Sequence, residues 1–516
     1  MKKSRTVFSL LLCAALLFGS FALPASSADS AAGRIDYTIT SPYADVNWEE
    51  INQYKTALHT HTNASDGDIT LKESIETHYL QGFDIVATTD HGINNKSWVR
   101  AEDSDYRLIH GALALLKRNE GELVYLGDAG TFDKSGASYT LTRRSNGDDY
   151  LTVNGSGEAR TILRLPNGIE NNAVSINAHV NSWFCDYQDN GINDYVDALR
   201  GVTKAGGICV INHPGEYTKA RNDLTEDETY NESNLIYRYY INKFYGLIQQ
   251  YPACLGIDIN SKGDSRTRYD RKLWDVMLRR STPGGKNIFA IASSDAHQSS
   301  VINTGYSRLL MTELTSAQAR KALENGQFFA CSYCNGNQKD LENILENLEK
   351  YYGTDGALYA RVKETVEEMR TRVQNVANGT EKKKSSAASP LRLIDNEGYF
   401  HGEETRITAV TADNEADTVT VKTDNAKLVR FIADGKVIAV MKAQDGVCTL
   451  DLNAYSDQLG CYVRAEVFGE GGFLYTQPLL LSYKGEPEAR EYRWINIPVI
   501  DALFAEVRRL FTILSR

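Results

Sequence analysis

The sequence predicts an α/β fold built as a barrel of parallel strands, followed by a smaller all-β region. Two observations carry this. From about Tyr54 to Gly326, seven short apolar runs recur: "YKTALHTH", "FDIVATTDH", "TILRLPNGIE", "AVSINAHV", "GGICVINHPG", "CLGIDIN" and "NIFAIASSDAH". Amphipathic, helix-like stretches lie between several of them, and strand alternating with helix implies a parallel sheet. Seven strands at this spacing suit a barrel better than an open sheet. Secondly, His, Asp and Glu gather at the carboxyl end of nearly every run. That is where α/β barrels assemble active sites.

The elements follow in order. Residues 1–28 read as a secretory signal, with Lys2, Lys3 and Arg5 ahead of the apolar run Val7 to Leu23 and small residues from Ala25 to Ala28. The barrel is expected over residues 51–336. Helical spacing shows in Leu71, Ile75 and Tyr79, and again in Ile192, Val196 and Leu199. Residues 93–168 form an insertion. It holds a helix-like piece near Tyr106 to Lys117 and a hairpin from "ASYTLTRR" and "DYLTV". Thr315 with Gln318 is a capping box opening a further helix. Residues 337–390 are a helical segment and linker, the linker being "NGTEKKKSSAASP". Residues 391–485 alternate as short strands and predict a small β-sandwich. Residues 486–516 end in an amphipathic helix with Val499, Leu503, Val507, Leu510 and Leu514 on one stripe, suited to docking on the protein itself or to a cell surface.

Composition narrows the function. The chain has 516 residues, 42% hydrophobic and 24% charged, with net charge -11. That balance disfavours binding a nucleic-acid polymer through a broad basic surface. It permits a small anionic substrate if cations are concentrated at the site, as bound metal ions would do. Eight cysteines include Cys13 in the signal, and seven remain, too sparse for a disulfide scaffold. "CSYC" at Cys331 and Cys334 reads as a local disulfide or two packed thiols. Cys448 and Cys461 flank a short loop and could pair, and Cys185, Cys209 and Cys254 look buried.

The chemistry lies in the strand-end residues. In the extended stretch "LHTHTNASDG", residues i and i+2 face the same way, so His59 and His61 present two imidazoles together. With them stand Asp66, His91, Glu170, His179, His213, Asp295 and His297, a set holding six of the nine histidines. Imidazole with carboxylate suits zinc, manganese and iron, whereas an all-oxygen site would suit magnesium or calcium. Nine ligands exceed the four that one zinc takes, so the set fits two or three ions with Glu170 bridging. Other residues read more plainly. His78 is a surface or packing histidine, and His110 and His401 lack ligand-like company. Asp90 and Asp258 suit supporting roles behind the ligands. Arg160 and Arg164 are candidate phosphate contacts, with surface ion pairing as the alternative.

The motifs "HTHTNASDG", "TTDHG", "NGIE" with "NAHV", "INHPG" and "SSDAH" occur in the order of the polymerase and histidinol phosphatase (PHP) family, which the chain resembles over roughly Tyr54 to Cys334. The resemblance implies a distorted seven-stranded (β/α) barrel with a trinuclear metal centre that hydrolyses phosphoesters. Carried over by position, it implies that His59, His61, Glu170 and Asp295 hold one ion. Glu170, His179 and His213 would hold a second, and Asp66, His91 and His297 a third. The insertion and the C-terminal region depart from the pattern and leave the substrate open.

The expectation is an exported, metal-dependent phosphoesterase carrying two or three Mn²⁺, Zn²⁺ or Fe²⁺ ions. Glu170, Asp295 and His213 would be catalytic, and a metal-activated hydroxide would attack a small phosphorylated substrate such as a nucleotide. Two rivals stand beside it. An amidohydrolase-type metal hydrolase also uses H-x-H and a late Asp, although Asp66 and His297 suit a further ion. A non-catalytic surface binding protein would have no reason to keep all nine residue types. The sequence also leads one to expect that a chain ending near Pro390, if it stays soluble, retains activity on a small chromogenic phosphoester.

Overall fold

The computed structural model describes residues 34–99, 125–155, 157–173, 178–188, 194–383, 388–489 and 492–495. The expected signal over residues 1–28, the expected helix-like piece near Tyr106 with His110, and the expected stripe from Val499 to Leu514 lie outside the described residues.

Three short parallel strands open the fold side by side, Asn52–Ala57, Ile85–Val86 and Arg160–Arg164. A second parallel trio, Ile208–Ile211, Cys254–Asp258 and Phe289–Ile291, lies in another sheet. That sheet also carries the antiparallel strands Ile169–Ala173 and Ala178–Trp183. One core joins the two sheets: Leu58, Ile85 and Leu163 from the first pack in a single cluster with Trp183, Val210 and Ile291 from the second.

The coarse expectation of an α/β fold with parallel strands therefore holds, but the sheet does not close into a barrel among the described residues. Hydrogen bonding at the strand edges gives the reason. Arg160–Arg164 has its second edge occupied by Asp149–Asn154 of the insertion hairpin, so Ile169–Ala173 cannot pair there. Asn52–Ala57 likewise has its second edge occupied by the antiparallel strand Gly305–Met311. Among the described residues, isolated β-bridges link the two sheets, Thr60 with Ala296, His91 with Glu170, and Asn95 with Gly168. The first two of these place site residues from both sheets together.

Local signals behave as their chemistry dictates. The side chain of Thr70 caps helix Leu71–Leu80 by accepting from the Glu73 amide, and Thr315 caps Ser316–Glu324 by accepting from the Gln318 amide. Ser138–Arg143 and Asp149–Asn154 form the expected hairpin. The polar helical stretch is two helices, Gln338–Tyr352 and Ala357–Ala377. Gly353, with φ 78°, ends the first, a conformation that favours glycine.

The C-terminal region contains a separate sheet of Arg406–Asp413, Thr418–Asp424 and Val447–Asp451. Its other strands extend the first sheet. Gly472–Tyr475 pairs with Phe328–Ser332, and Tyr462–Gly469 and Leu428–Ala433 follow. Buried ion pairs tie the same region to the helices. Arg464 reaches Asp275 at 2.7 Å, and Arg430 reaches Asp340 at 3.2 Å and also Glu466. Arg308 pairs with Glu404. The described residues from Asp36 on form one compact unit. Trp494 lies against helix Leu235–Gln250, where its carbonyl accepts from Gln250 Nε2 at 2.7 Å. None of the described helices is long and apolar enough to cross a membrane.

The seven cysteines among the described residues are all buried and free, so Cys331 with Cys334 are packed thiols and Cys448 is not bonded to Cys461. His78 is fully buried, donates to the Ser74 carbonyl at 2.7 Å and packs edge-on against Phe83. It is a packing histidine, not a surface one. Burial pushes its pKa down to about 4 from 6.5. The unfolded chain therefore binds the extra proton first as pH falls. His78 should leave stability intact above about pH 6.5 and remove at most roughly 3 kcal/mol as pH drops to about 4. Denaturant unfolding at several pH values should show a steeper loss over that window for the native chain than for His78→Gln. Equal slopes would contradict the assignment.

Candidate metal centre

His59 and His61 follow strand Asn52–Ala57, and the Thr60–Ala296 bridge holds this extension beside the Asp295 turn. Both imidazoles are fully buried with their Nε2 atoms 3.0 Å apart, as side chains two residues apart on extended backbone should be. Asp295 and His213 adopt positive φ, 49° and 27°. Non-glycine residues seldom do so, and such strain persists where surrounding structure enforces it. Here it turns both side chains toward the centre.

Glu170 is the hub. Its Oε2 lies 3.3 Å from His59 Nε2, 3.1 Å from His61 Nε2 and 3.2 Å from His91 Nδ1. Its Oε1 lies 3.0 Å from His179 Nδ1 and 3.3 Å from His213 Nε2. One buried carboxylate thus touches five imidazoles. Asp295 Oδ1 lies 3.3 Å from His59 Nε2 and 3.2 Å from His61 Nε2, and its Oδ2 lies 3.5 Å from His213 Nε2. On the outer side Asp66 Oδ1 lies 3.2 Å from His297 Nε2, 3.5 Å from His61 Nδ1 and 3.6 Å from His91 Nε2. All nine sequence-predicted residues therefore converge.

The groupings differ in detail from those the family resemblance implies. Ligand atoms come together as His59, His61, Glu170 and Asp295, as His61, Asp66 and His297, and as His91, Glu170 and His179. His91 stands between Asp66 and Glu170, and His213 stands between Glu170 and Asp295.

Charge and hydrogen bonding both fit cations here. Burial alone would raise the Glu170 pKa, but His179, His59 and His91 outweigh it and hold the carboxyl well below its usual range. Asp295 is likewise held low against burial by Lys262 and His59. Burial opposes protonation of His61, yet Asp295 and Glu170 raise it well above the usual value. Burial, followed by Lys262, lowers His213 to about 4. The decisive test is satisfaction. Asp66 Oδ1, Asp295 Oδ1 and His91 Nδ1 are shielded from water without a well-aligned hydrogen bond, while Asp295 Oδ2 is met by Lys262 Nζ. Buried polar atoms are rarely left so. Ionised carboxylates and imidazole nitrogens crowded together with so few hydrogen bonds are what divalent ions would satisfy.

Supporting contacts surround the cluster. Asp90 accepts from the Thr62 amide at 2.7 Å, the Thr62 hydroxyl at 2.9 Å and the Ser65 hydroxyl at 2.7 Å. The Ser65 hydroxyl lies 3.2 Å from His61 Nδ1, so Asp90 orients the turn that carries His61. Asn212 Nδ2 donates to Glu170 Oε1 at 2.7 Å. Asp258, fully buried, accepts from the Ser293 hydroxyl, and burial, reinforced by Asp295 and opposed by that hydrogen bond, raises its carboxyl to about 7.

Arg160 and Arg164 are engaged elsewhere. Arg160 donates to the carbonyls of Tyr79 and Phe83, and Arg164 pairs with Asp149 and donates to the Asn95 carbonyl. Exposed His401 pairs with Asp395 at 2.8 Å. Sequence reasoning missed Asn212, Glu216, Tyr217 and Lys262. Tyr217 Oη lies 3.0 Å from His179. Three of the four sit in or beside "INHPGEY", where position in the motif was the available signal.

No family model matches the chain, and no curated protein does. Among solved structures, the chain is similar to a two-domain protein containing a predicted PHP-like metal-dependent phosphoesterase from Bacteroides vulgatus ATCC 8482. Identity is 14% and the TM-score 0.33, over 89% of this chain and 92% of that one. It is also similar to PsfC from Pseudomonas syringae PB-5123, at 12% identity and a TM-score of 0.26, over 50% of this chain and 82% of that one.

Proposed function

We propose that this chain is a PHP-type metal-dependent phosphoesterase acting on a small phosphorylated compound. The observation that carries the reading is Glu170, a buried carboxylate within 3.3 Å of five imidazoles, flanked by Asp295, whose Oδ1 is shielded from water without a hydrogen bond. His59, His61, Glu170 and Asp295 would hold one ion. His91, His179 and His213 would share Glu170 with a second, and Asp66 with His297 offers a third place. Divalent ions bound there supply Lewis acidity to phosphoryl oxygens and to a water.

The chain's own residues do the positioning. Glu170 and Asp295, both ionised, keep cations close together. Asn212 fixes the Glu170 carboxylate, and Asp90 fixes the His61 turn. Burial of His59 and Asp295 excludes water from the inner wall, which strengthens every charge interaction there. The Asp66 and His297 side chains are 26% and 31% exposed and mark the side from which substrate enters. The basic and then apolar start of the chain supports action outside the cytoplasm.

Chelation should abolish hydrolysis of a chromogenic phosphoester, and Mn²⁺, Zn²⁺ or Fe²⁺ should restore it. Elemental analysis should find between about two and three transition-metal ions per chain, matching the donor count. A parallel amide panel separates the amidohydrolase alternative. Turnover that persists with less than one ion per chain would sink the metal mechanism, and amide cleavage without phosphoester cleavage would replace the reading.

A further inference from the structure

The edge of the centre beside Asp295 and His213 is cationic. Lys262 Nζ contacts Asp295 Oδ2 directly and lies 3.4 Å from Glu216 Oε2. Arg221 and Arg266 reach Glu216 Oε1 at 2.6 and 3.1 Å. Three cations therefore surround one carboxylate that lies outside the ligand set. Asp295, once it holds a metal ion, no longer balances Lys262. The side chains of Lys262, Arg221 and Arg266 are 17%, 22% and 52% exposed, so the group opens to solvent. Arg221 Nε is shielded yet has no hydrogen-bond partner.

The backbone under Lys262 is unusual as well. Lys262, Gly263 and Asp264 have φ of 53°, 59° and 61°, three left-handed residues in succession. Asp264 is locked by two 3.0 Å hydrogen bonds from Arg271 and by the Gly336 amide at 2.6 Å. A turn with two non-glycine residues in the left-handed region is held rigidly, and it delivers an ammonium to the rim of the metal cluster. Strain of this kind gathers where a side chain must be aimed.

We propose that Lys262, Arg221 and Arg266 form an anion subsite that receives the non-bridging oxygens of the scissile phosphate and selects phosphate monoesters over diesters. The proposal rests on the phosphoesterase reading and deepens it. A monoester phosphate carries nearly two negative charges near neutral pH, a diester only one. A subsite with two cations in excess of its carboxylate therefore favours the monoester. Arginine adds paired donors matched to phosphate oxygens, and Lys262 adds a compact charge. Glu216 is a positioning residue that keeps the three cations converged.

The test uses the full metal-reconstituted chain and inorganic phosphate as the probe, measured by titration calorimetry with metal content determined in parallel. Lys262→Met should weaken phosphate binding by about 10-fold or more, and Arg266→Ala by about 3-fold, in line with losing charge-assisted contacts. Lys262→Arg should recover most of the affinity. With matched chromogenic substrates, Lys262→Met should lower the monoester-to-diester ratio of kcat/KM by about 10-fold. If Lys262→Met loses metal or fails to fold, Arg266→Ala decides, because its guanidinium reaches Glu216 at the exposed rim. A native chain that binds no phosphate, or variants that bind it with native affinity, would overturn the subsite. A native chain that binds phosphate through Lys262 but turns over no phosphoester would overturn the phosphoesterase reading, and with it the monoester selection, and leave an anion site only.

Discussion

Glu170→Gln should cost at least about 100-fold in turnover, roughly 2.7 kcal/mol of transition-state stabilisation, together with one or two bound ions. The substitution keeps the size of the side chain and removes its charge. That charge lies between five imidazoles and is shielded from solvent. Without it, cations on either side would repel each other with nothing between them. The glutamine amide would also place donors where two or three imidazole nitrogens now meet one carboxylate oxygen. His401→Ala is the proper control, since its side chain is 75% exposed and pairs with the surface carboxylate of Asp395. Elemental analysis and steady-state kinetics on both variants check the prediction. Equal metal content and equal turnover would remove Glu170 as the bridge. Asp128, another carboxylate at the end of an apolar run, is exposed and offers no substitute.

Ending the chain near Pro390 should abolish soluble, folded protein, so the condition of solubility on which retained activity is expected should fail. The cut would strip Gly472–Tyr475 from Phe328–Ser332 and leave a strand edge open for aggregation. It would also leave Asp275 without Arg464, Arg308 without Glu404 and Asp340 without Arg430. Breaking a buried pair by removing one partner costs about 3–5 kcal/mol, and a domain's whole stability is about 5–15 kcal/mol. Two such losses are enough. Solubility, thermal unfolding and metal content of the truncated chain are the measurements. A soluble product with native melting temperature and native turnover would show that these pairings are dispensable. Arg464→Met tests the same network in the intact chain and should lower stability by about 3–5 kcal/mol.

The convergence of the nine residues was legible because each motif is local. His59 and His61 share a face through the two-residue period of extended backbone, and His91, His213, Asp295 and His297 each sit just past an apolar run. Strand-end position alone brought them into one neighbourhood. Capping at Thr315 and the insertion hairpin were legible for the same reason, since a cap or hairpin is specified within a few residues.

What the sequence by itself determined, then, was the identity of the metal-suited side chains and their placement at strand ends. Those properties depend on neighbours in the chain. Only the tertiary structure decided how the strand edges were filled, and that in turn decided that the parallel strands lie in two bridged sheets. It drew Arg160 and Arg164 to backbone carbonyls and to Asp149. It buried His78 against Phe83. It also bound the C-terminal strands to Phe328–Ser332 and brought Lys262 and Glu216 to the edge of Asp295. Each of these depends on which distant group reaches a given hydrogen-bonding edge or charge first, and no local spacing records that competition.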